Sequence, residues 1–145
     1  MTESSQRRRQ QSARAIAELI EQLSRSVSTD SFSSQMNHAQ WTALRYLAQA
    51  NESARQIGAF ATFHMTTPSS ASQTISSLVD KGMVVKRTAA DARRRTLNLT
   101  AKGRRMLERD PILGLVERIL NLSDASLFEL AEILQLLVQT PGRKR

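Results

Sequence analysis

The sequence has little or nothing of several residue types, and each shortage excludes a class of protein. It contains no cysteine, which excludes disulfides, thiolate zinc sites, cysteine nucleophiles and thiol redox sensing. Its two histidines have no close ligand spacing with carboxylates, so neither a metal site nor any other cofactor is expected. Its many serines include no Gly-x-Ser-x-Gly elbow, and we expect no enzyme.

Long apolar runs are also missing. No stretch approaches the roughly 20 apolar residues that cross a bilayer. The basic, polar residues 1–11 are not followed by an apolar segment, as they would be in a signal peptide. We therefore expect no membrane partner and a cytoplasmic location.

Positive charge is abundant and unevenly placed. The 145 residues include 40% hydrophobic ones, enough for one domain with a core, and carry a formal net charge of +8. The terminal clusters 7–9 and 143–145 are interpreted as solvated tails. The surplus is concentrated between residues 86 and 109, where nine basic residues meet two acids. Such a block favours a polyanionic partner.

Hydrophobic periodicity predicts mostly helices. An apolar stripe predicts a first helix over about 11–27, ended by the serine-rich segment 28–34. Asn37 with Gln40 has the form of a capping box and predicts a helix over 38–50. A short third helix follows, with Ser53 as its expected cap. Thr67 and Pro68 begin a fourth helix, which Gly82 ends.

A change of period then predicts a β-hairpin. Residues 84–87 and 96–99 have the pattern of two short strands joined by a long basic tip, Thr88 to Arg95. Thr100 caps a fifth helix, which Pro111 interrupts. A last helix from Ser123 and Asp124 to about Val138 is apolar on nearly every side. Such a helix needs a second burial partner, and another copy of the chain is the simplest one.

Three segments resemble the MarR family of bacterial transcription regulators. They are Gln40-Trp41 with Leu44 and Leu47, then Leu78-Val79-Asp80-Lys81-Gly82-Met83-Val84, then Asp91-Ala92-Arg93-Arg94 leading to Leu99-Thr100-Ala101-Lys102-Gly103. The resemblance implies a mainly α winged helix-turn-helix with a small β-hairpin wing and terminal dimerisation helices. It implies a homodimer, associated with the nucleoid of a bacterium, that binds double-stranded DNA and often releases it when a small molecule binds.

The domain organisation expected from this resemblance has three parts in one intertwined domain. Residues 1–36 form an N-terminal arm and dimerisation helix, 37–100 the DNA-binding lobe, and 101–145 the C-terminal dimerisation helices. Helix 69–81 takes the recognition position and Thr88 to Arg95 the wing. In the family's pattern Arg93 enters the minor groove and Asp91 supports the wing. Ala92 stands where the family often has arginine, which leaves open which of Arg93, Arg94 and Arg95 is inserted.

The residue chemistry points to the same surface. Short donors and acceptors near the start of the fourth helix fit base edges, and the Gln73 amide can make a paired contact with adenine. Arginines at a hairpin tip can reach phosphates or a narrow minor groove. The expected DNA-binding residues are Thr67, Ser69, Ser70, Ser72, Gln73, Ser76, Arg87, Arg93, Arg94 and Arg95.

A small organic effector is a further expectation. The wedge between the dimerisation helices and the DNA-binding lobe is a natural cavity site, and His38, Trp41 and Arg45 are its candidate ligand residues. Trp41 is also interpreted as a core anchor. The function expected is a sequence-specific, ligand-responsive regulator of transcription that acts on a pseudo-palindromic operator.

 Repression is the expected effect on transcription.

The alternative expectation comes from a different class of function. A constitutive winged-helix protein without an effector, binding DNA with tolerance of sequence or binding another protein, would carry the same basic face. Discrimination between a specific operator and bulk DNA separates the two, because a sequence-tolerant binder shows little preference.

Overall fold

The computed structural model describes residues 2–31, 35–88 and 93–140. Within these residues seven α-helices and one two-stranded sheet follow each other along the chain. They are α1 (Glu3–Ser31), α2 (His38–Gln49), α3 (Ile57–Phe63), α4 (Pro68–Asp80), β1 (Val84–Thr88), β2 (Arg95–Leu99), α5 (Ala101–Leu107), α6 (Leu113–Leu120) and α7 (Asp124–Gln139). The predicted fold class, mainly α with a small β-hairpin wing, is confirmed.

Helix α1 is longer than the sequence predicted at both ends. It begins at Glu3 and continues to Ser31, so the prediction that serines from residue 28 onward end it is wrong. The Ser26 hydroxyl donates to the Leu23 carbonyl oxygen at 2.8 Å, and the Ser28 hydroxyl donates to that of Ser24 at 3.0 Å. Serine hydroxyls that bond to the preceding turn are compatible with a continuing helix.

Side-chain caps set the start of most of the remaining helices. The capping box of Asn37 and Gln40 is present at α2, and Thr67, Thr100 and Ser123 cap α4, α5 and α7. The prediction for Ser53 is wrong. Asn51 instead caps a short 3-10 helix, Glu52–Ala54, and α3 starts without a side-chain cap. Asn51 acts as the cap because its side-chain oxygen accepts a hydrogen bond from the Ala54 N–H at 3.0 Å.

The core lies among α2, α3, α4 and the hairpin. Its helices meet through apolar faces, and its bulky members have no more than 1% of their surface exposed. Burying such side chains is the main favourable term in folding. The largest of them are Trp41, Phe60, Leu44, Ile75, Leu78 and Leu97.

The hairpin is attached tightly to the end of α4. Gly82 has a φ of 72°, a left-handed conformation that ends the helix at little cost for glycine, and β1 starts two residues later. β1 and β2 pair antiparallel from Val84 with Leu99 to Thr88 with Arg95. The Leu97 N–H donates to the Arg55 carbonyl oxygen at 2.8 Å, and this bond fixes β2 to the segment before α3.

Residues 1–111 and 112–145 form two compact units. The second unit holds α6 and α7, and neither helix has a buried residue. Its exposed large apolar side chains include Leu120, Phe128, Leu136 and Val138. The division into three parts at residues 36 and 100 stays a prediction.

Candidate nucleic-acid interface

The exposed face of α4 is polar and carries no positive charge in its first three turns. Thr67 begins it, with its hydroxyl oxygen accepting from the Ser70 N–H at 3.1 Å. Ser69, Ser70 and Gln73 are exposed, whereas Ser72 and Ser76 are half-buried. Ala71, Ile75 and Leu78 occupy the opposite, buried face. The helix therefore offers hydroxyl and amide groups outward at the positions predicted from the sequence.

The hairpin that follows this helix carries exposed arginines. Arg87 on β1, Arg95 on β2 and the two arginines before it, Arg93 and Arg94, are all exposed. Asp91 and Ala92 lie outside the described residues, so the predicted wing support by Asp91 stays a prediction. Exposed guanidinium groups on a hairpin can pair with phosphate oxygens without losing an existing core contact.

A groove joins the helix to the hairpin. Its volume is about 510 Å³, and its walls include Ser76 on α4 and Lys86 on β1. Lys86 is an exposed cation that was not among the predicted site residues. Its position in the basic block 86–109 was the available signal, but only the tertiary structure shows that it lines a groove together with α4.

The three predicted ligand residues occupy different environments. Trp41 is 0% exposed, so a contact with a ligand would require the core to open, and this role stays a prediction. His38 is exposed and its ring centroid lies 6.2 Å from that of His64, which in turn stacks on Phe60 at 5.5 Å. Only Arg45 among the three lines the cavity described next.

A cavity of about 460 Å³ is lined by residues of α2 and by Phe63 at the end of α3. Tyr46 and Phe63 supply two aromatic rings with centroids 4.9 Å apart, and Arg45 supplies a cation. Phe63 is 60% exposed, so one ring face is open to a ligand. The lining residues are Thr42, Arg45, Tyr46, Gln49, Ala50 and Phe63.

Arg45 also forms a bidentate ion pair that the sequence did not reveal. Its Nε and Nη2 atoms donate to the two carboxylate oxygens of Asp110 at 2.7 and 2.6 Å. Asp110 is 6% exposed, and it lies 65 residues further along the chain. The contact ties α2 to the turn after α5.

The environment of His38 makes folding dependent on pH. Burial of part of the ring lowers its pKa from 6.5, and the charges of Arg45 and then His64 lower it further. Because the unfolded chain takes up this proton at a higher pH than the folded chain does, acid favours unfolding. We expect the free energy of unfolding to fall as the pH drops below 6.5 towards the folded-state pKa.

Urea unfolding at about pH 7.5 and about pH 5.5, on either side of the ordinary histidine pKa, measures this effect. His38→Gln should show a smaller loss of stability between the two values than the natural chain does. An equal loss in both proteins would assign the pH dependence to other groups.

Comparison with known proteins identifies the winged helix. A model of the MarR family, MarR_2, matches residues 34–95, which include α2, α3, α4 and β1. The winged-helix segment of this chain is therefore similar to the MarR family. The predicted resemblance is thereby confirmed. No curated protein matches the sequence.

Several solved structures share the fold over most of the chain. A transcriptional regulator from Silicibacter pomeroyi is 24% identical, with 86% of this chain and 85% of that one covered and a TM-score of 0.69. The S. aureus MepR–DNA complex is 16% identical, with 86% and 91% covered and a TM-score of 0.68. CouR from Rhodococcus jostii RHA1, bound to p-coumaroyl-CoA, is 14% identical, with 90% and 93% covered and a TM-score of 0.72.

Two features do not occur among the described residues. None of the helices there is both long and apolar enough to span a bilayer. Within the same residues no group of three or more histidine, aspartate and glutamate side chains is placed to hold a metal ion.

Proposed function

We propose that this MarR-type protein is a sequence-specific regulator of transcription that binds double-stranded DNA. The observation that supports this most directly is the polar, uncharged face of α4 beside a hairpin with exposed arginines. In this arrangement the helix reads base edges in the major groove while the arginines contact phosphates or the minor groove. The MepR structure in complex with DNA has the same fold.

The proposed DNA-binding unit is a homodimer. Exposed apolar side chains lie on α1, including Ile16, Leu19 and Leu23, and also on α7, including Phe128 and Leu136. A two-fold dimer presents two copies of α4 to successive major grooves and therefore prefers a pseudo-palindromic site.

Selection of bound fragments from the source genome tests the proposal. We expect an enriched sequence with two half-sites about one helical turn apart, bound more weakly as salt rises. A library with no enriched sequence would instead favour the sequence-tolerant alternative. A footprint over a single asymmetric half-site would contradict the dimeric reading of the operator.

Base reading by Gln73 and phosphate contact by Arg94 are separable. Gln73→Ala should relax base preference at about one operator position, with a cost of roughly 1 to 3 kcal/mol for the preferred base. Arg94→Ala should weaken operator and random DNA alike and reduce the salt dependence. Titrations of both variants with both DNAs measure this difference. Equal losses for both DNAs in Gln73→Ala would remove its base-reading role.

We further propose that a small aromatic anion releases the DNA. The cavity beside α2 has a volume suited to such a molecule, with Phe63 and Tyr46 available for stacking and Arg45 for a carboxylate. An anion there competes with Asp110 for the guanidinium group and so loosens the tie between α2 and the turn after α5. The structure of CouR holds p-coumaroyl-CoA.

The ligand site is tested by the mutual effect of ligand binding and operator binding on each other. Aromatic acids and phenols that raise the thermal midpoint should also release the operator, and operator DNA should weaken their binding by the same factor. Phe63→Ser should lose the ligand response and keep DNA binding. Release by peroxide or by a chelator, with no organic ligand found, would overturn the proposal.

A further inference from the structure

One buried side chain, that of Gln40, joins the start of α2 to the last two turns of α4. Gln40 is 6% exposed. Its Oε1 atom accepts from the Asn37 N–H at 3.0 Å and from Lys81 Nζ at 3.2 Å, and its Nε2 atom donates to Ser77 Oγ at 2.7 Å. The same side chain therefore completes the cap of α2 and holds two residues at the end of α4.

The two residues held by Gln40 share a face of the helix. Ser77 and Lys81 are four positions apart, so they lie one above the other on an α-helix. Lys81 Nζ also donates to the Gln35 carbonyl oxygen at 2.7 Å, and Lys102 Nζ donates to the Lys81 carbonyl oxygen at 2.7 Å. The end of α4 is thus fixed by directional bonds from two other parts of the chain.

Apolar packing alone fixes the rotation of α4 less well. Its buried face consists of Ala71, Ile75 and Leu78, whose contacts are non-directional. For a helix about 10 Å across, a rotation of about 20° moves a surface group by about 2 Å. A shift of that size breaks a hydrogen bond to a base, since these bonds tolerate only a few tenths of an ångström.

We infer that Gln40 is a positioning residue that sets the rotation of α4 about its own axis, and thereby the discrimination of operator from other DNA. This inference rests on the proposed function, because it assigns base reading to α4. Gln40 itself contacts no DNA and acts through Ser77 and Lys81.

Two variants break the hydrogen bond between Gln40 and Ser77, each from one of its two sides. Gln40→Met keeps the length of the side chain but loses all of its hydrogen bonds, including the one that caps α2. Ser77→Ala removes the α4 partner and leaves the capping box intact. Leu47→Val is the matched control, because it removes one methylene from the buried face of α2 and touches none of these bonds.

The decisive measurement is the ratio of affinities for the selected operator and for random DNA. We expect this ratio to fall about tenfold in both Gln40→Met and Ser77→Ala, and the double variant to fall no more than about twofold further, because both changes break one link. Leu47→Val should lower thermal stability and keep the ratio. Ratios that follow thermal stability in all the variants would overturn the inference.

Hydrogen exchange gives a readout that does not depend on DNA. Backbone amides of α4 should exchange faster in Gln40→Met and Ser77→Ala than in Leu47→Val, relative to amides of β1 in each protein. Equal exchange in α4 would refute the positioning role even if DNA affinities changed. If the natural chain shows no preference for any operator, the proposed function fails, and hydrogen exchange still decides whether Gln40 holds α4.

Discussion

Replacement of Leu134 with aspartate is expected to leave the protein monomeric or insoluble. Leu134 lies on α7, which presents apolar side chains around most of its circumference, and Phe128 and Leu136 there are 67% and 66% exposed. In the proposed homodimer a second copy covers these side chains. A carboxylate buried at such an interface has no described cation on α7 to pair with, and burial of an unpaired charge costs several kcal/mol.

Size-exclusion chromatography with light scattering measures this result at micromolar concentration. Gln135→Asp is the matched control, because it places the same charge on the neighbouring, polar position of α7. The control should remain dimeric. A natural chain that is folded and monomeric under these conditions would disprove the proposed dimer, and a dimeric Leu134→Asp would exclude Leu134 from its interface.

Loss of the Asp110 carboxylate should destabilise the folded chain by about 3 kcal/mol. In Asp110→Asn the Arg45 guanidinium keeps its largely buried position, with 21% of the side chain exposed, but loses its bidentate anionic partner. Removal of one member of a buried pair costs far more than the pair contributes, because the other charge remains desolvated.

Glu18→Gln supplies the comparison for this variant. Glu18 pairs with Arg14 at 3.0 Å on the surface of α1, where the two side chains are 67% and 83% exposed. Its loss should change the free energy of unfolding by less than about 1 kcal/mol. Urea unfolding of both variants at one protein concentration measures the difference. Equal, small losses would show that Asp110 does not stabilise the fold through Arg45.

Local signals accounted for the helix starts that were predicted correctly. Thr67 with Pro68, Thr100, Ser123 and the Asn37–Gln40 pair each form a cap within four residues of sequence, so a short pattern contains the whole interaction. The same reasoning failed at residues 28–31, because serine is compatible with both a helix and a turn. Whether a helix continues through such serines depends on the contacts of the neighbouring chain segments.

The candidate site was predictable in its residue types and less so in its arrangement. The basic hairpin and the polar helix were visible as composition and period, and the structure places both next to the groove between α4 and β1. The ligand residues were less predictable. Trp41 has the pattern of an apolar helix face, but only the packing shows that its ring has no open side.

The sequence by itself determined the order of the elements, most of their caps, the winged-helix class and the absence of cysteine chemistry, because all of these depend on residue identity or on neighbours along the chain. Tertiary structure alone decided the contacts of Arg45 with Asp110 and of Gln40 with Ser77, which join residues 65 and 37 positions apart. Such contacts are directional and short. They form only when packing brings two distant segments within about 3 Å of each other, and no periodic pattern in the sequence specifies that meeting.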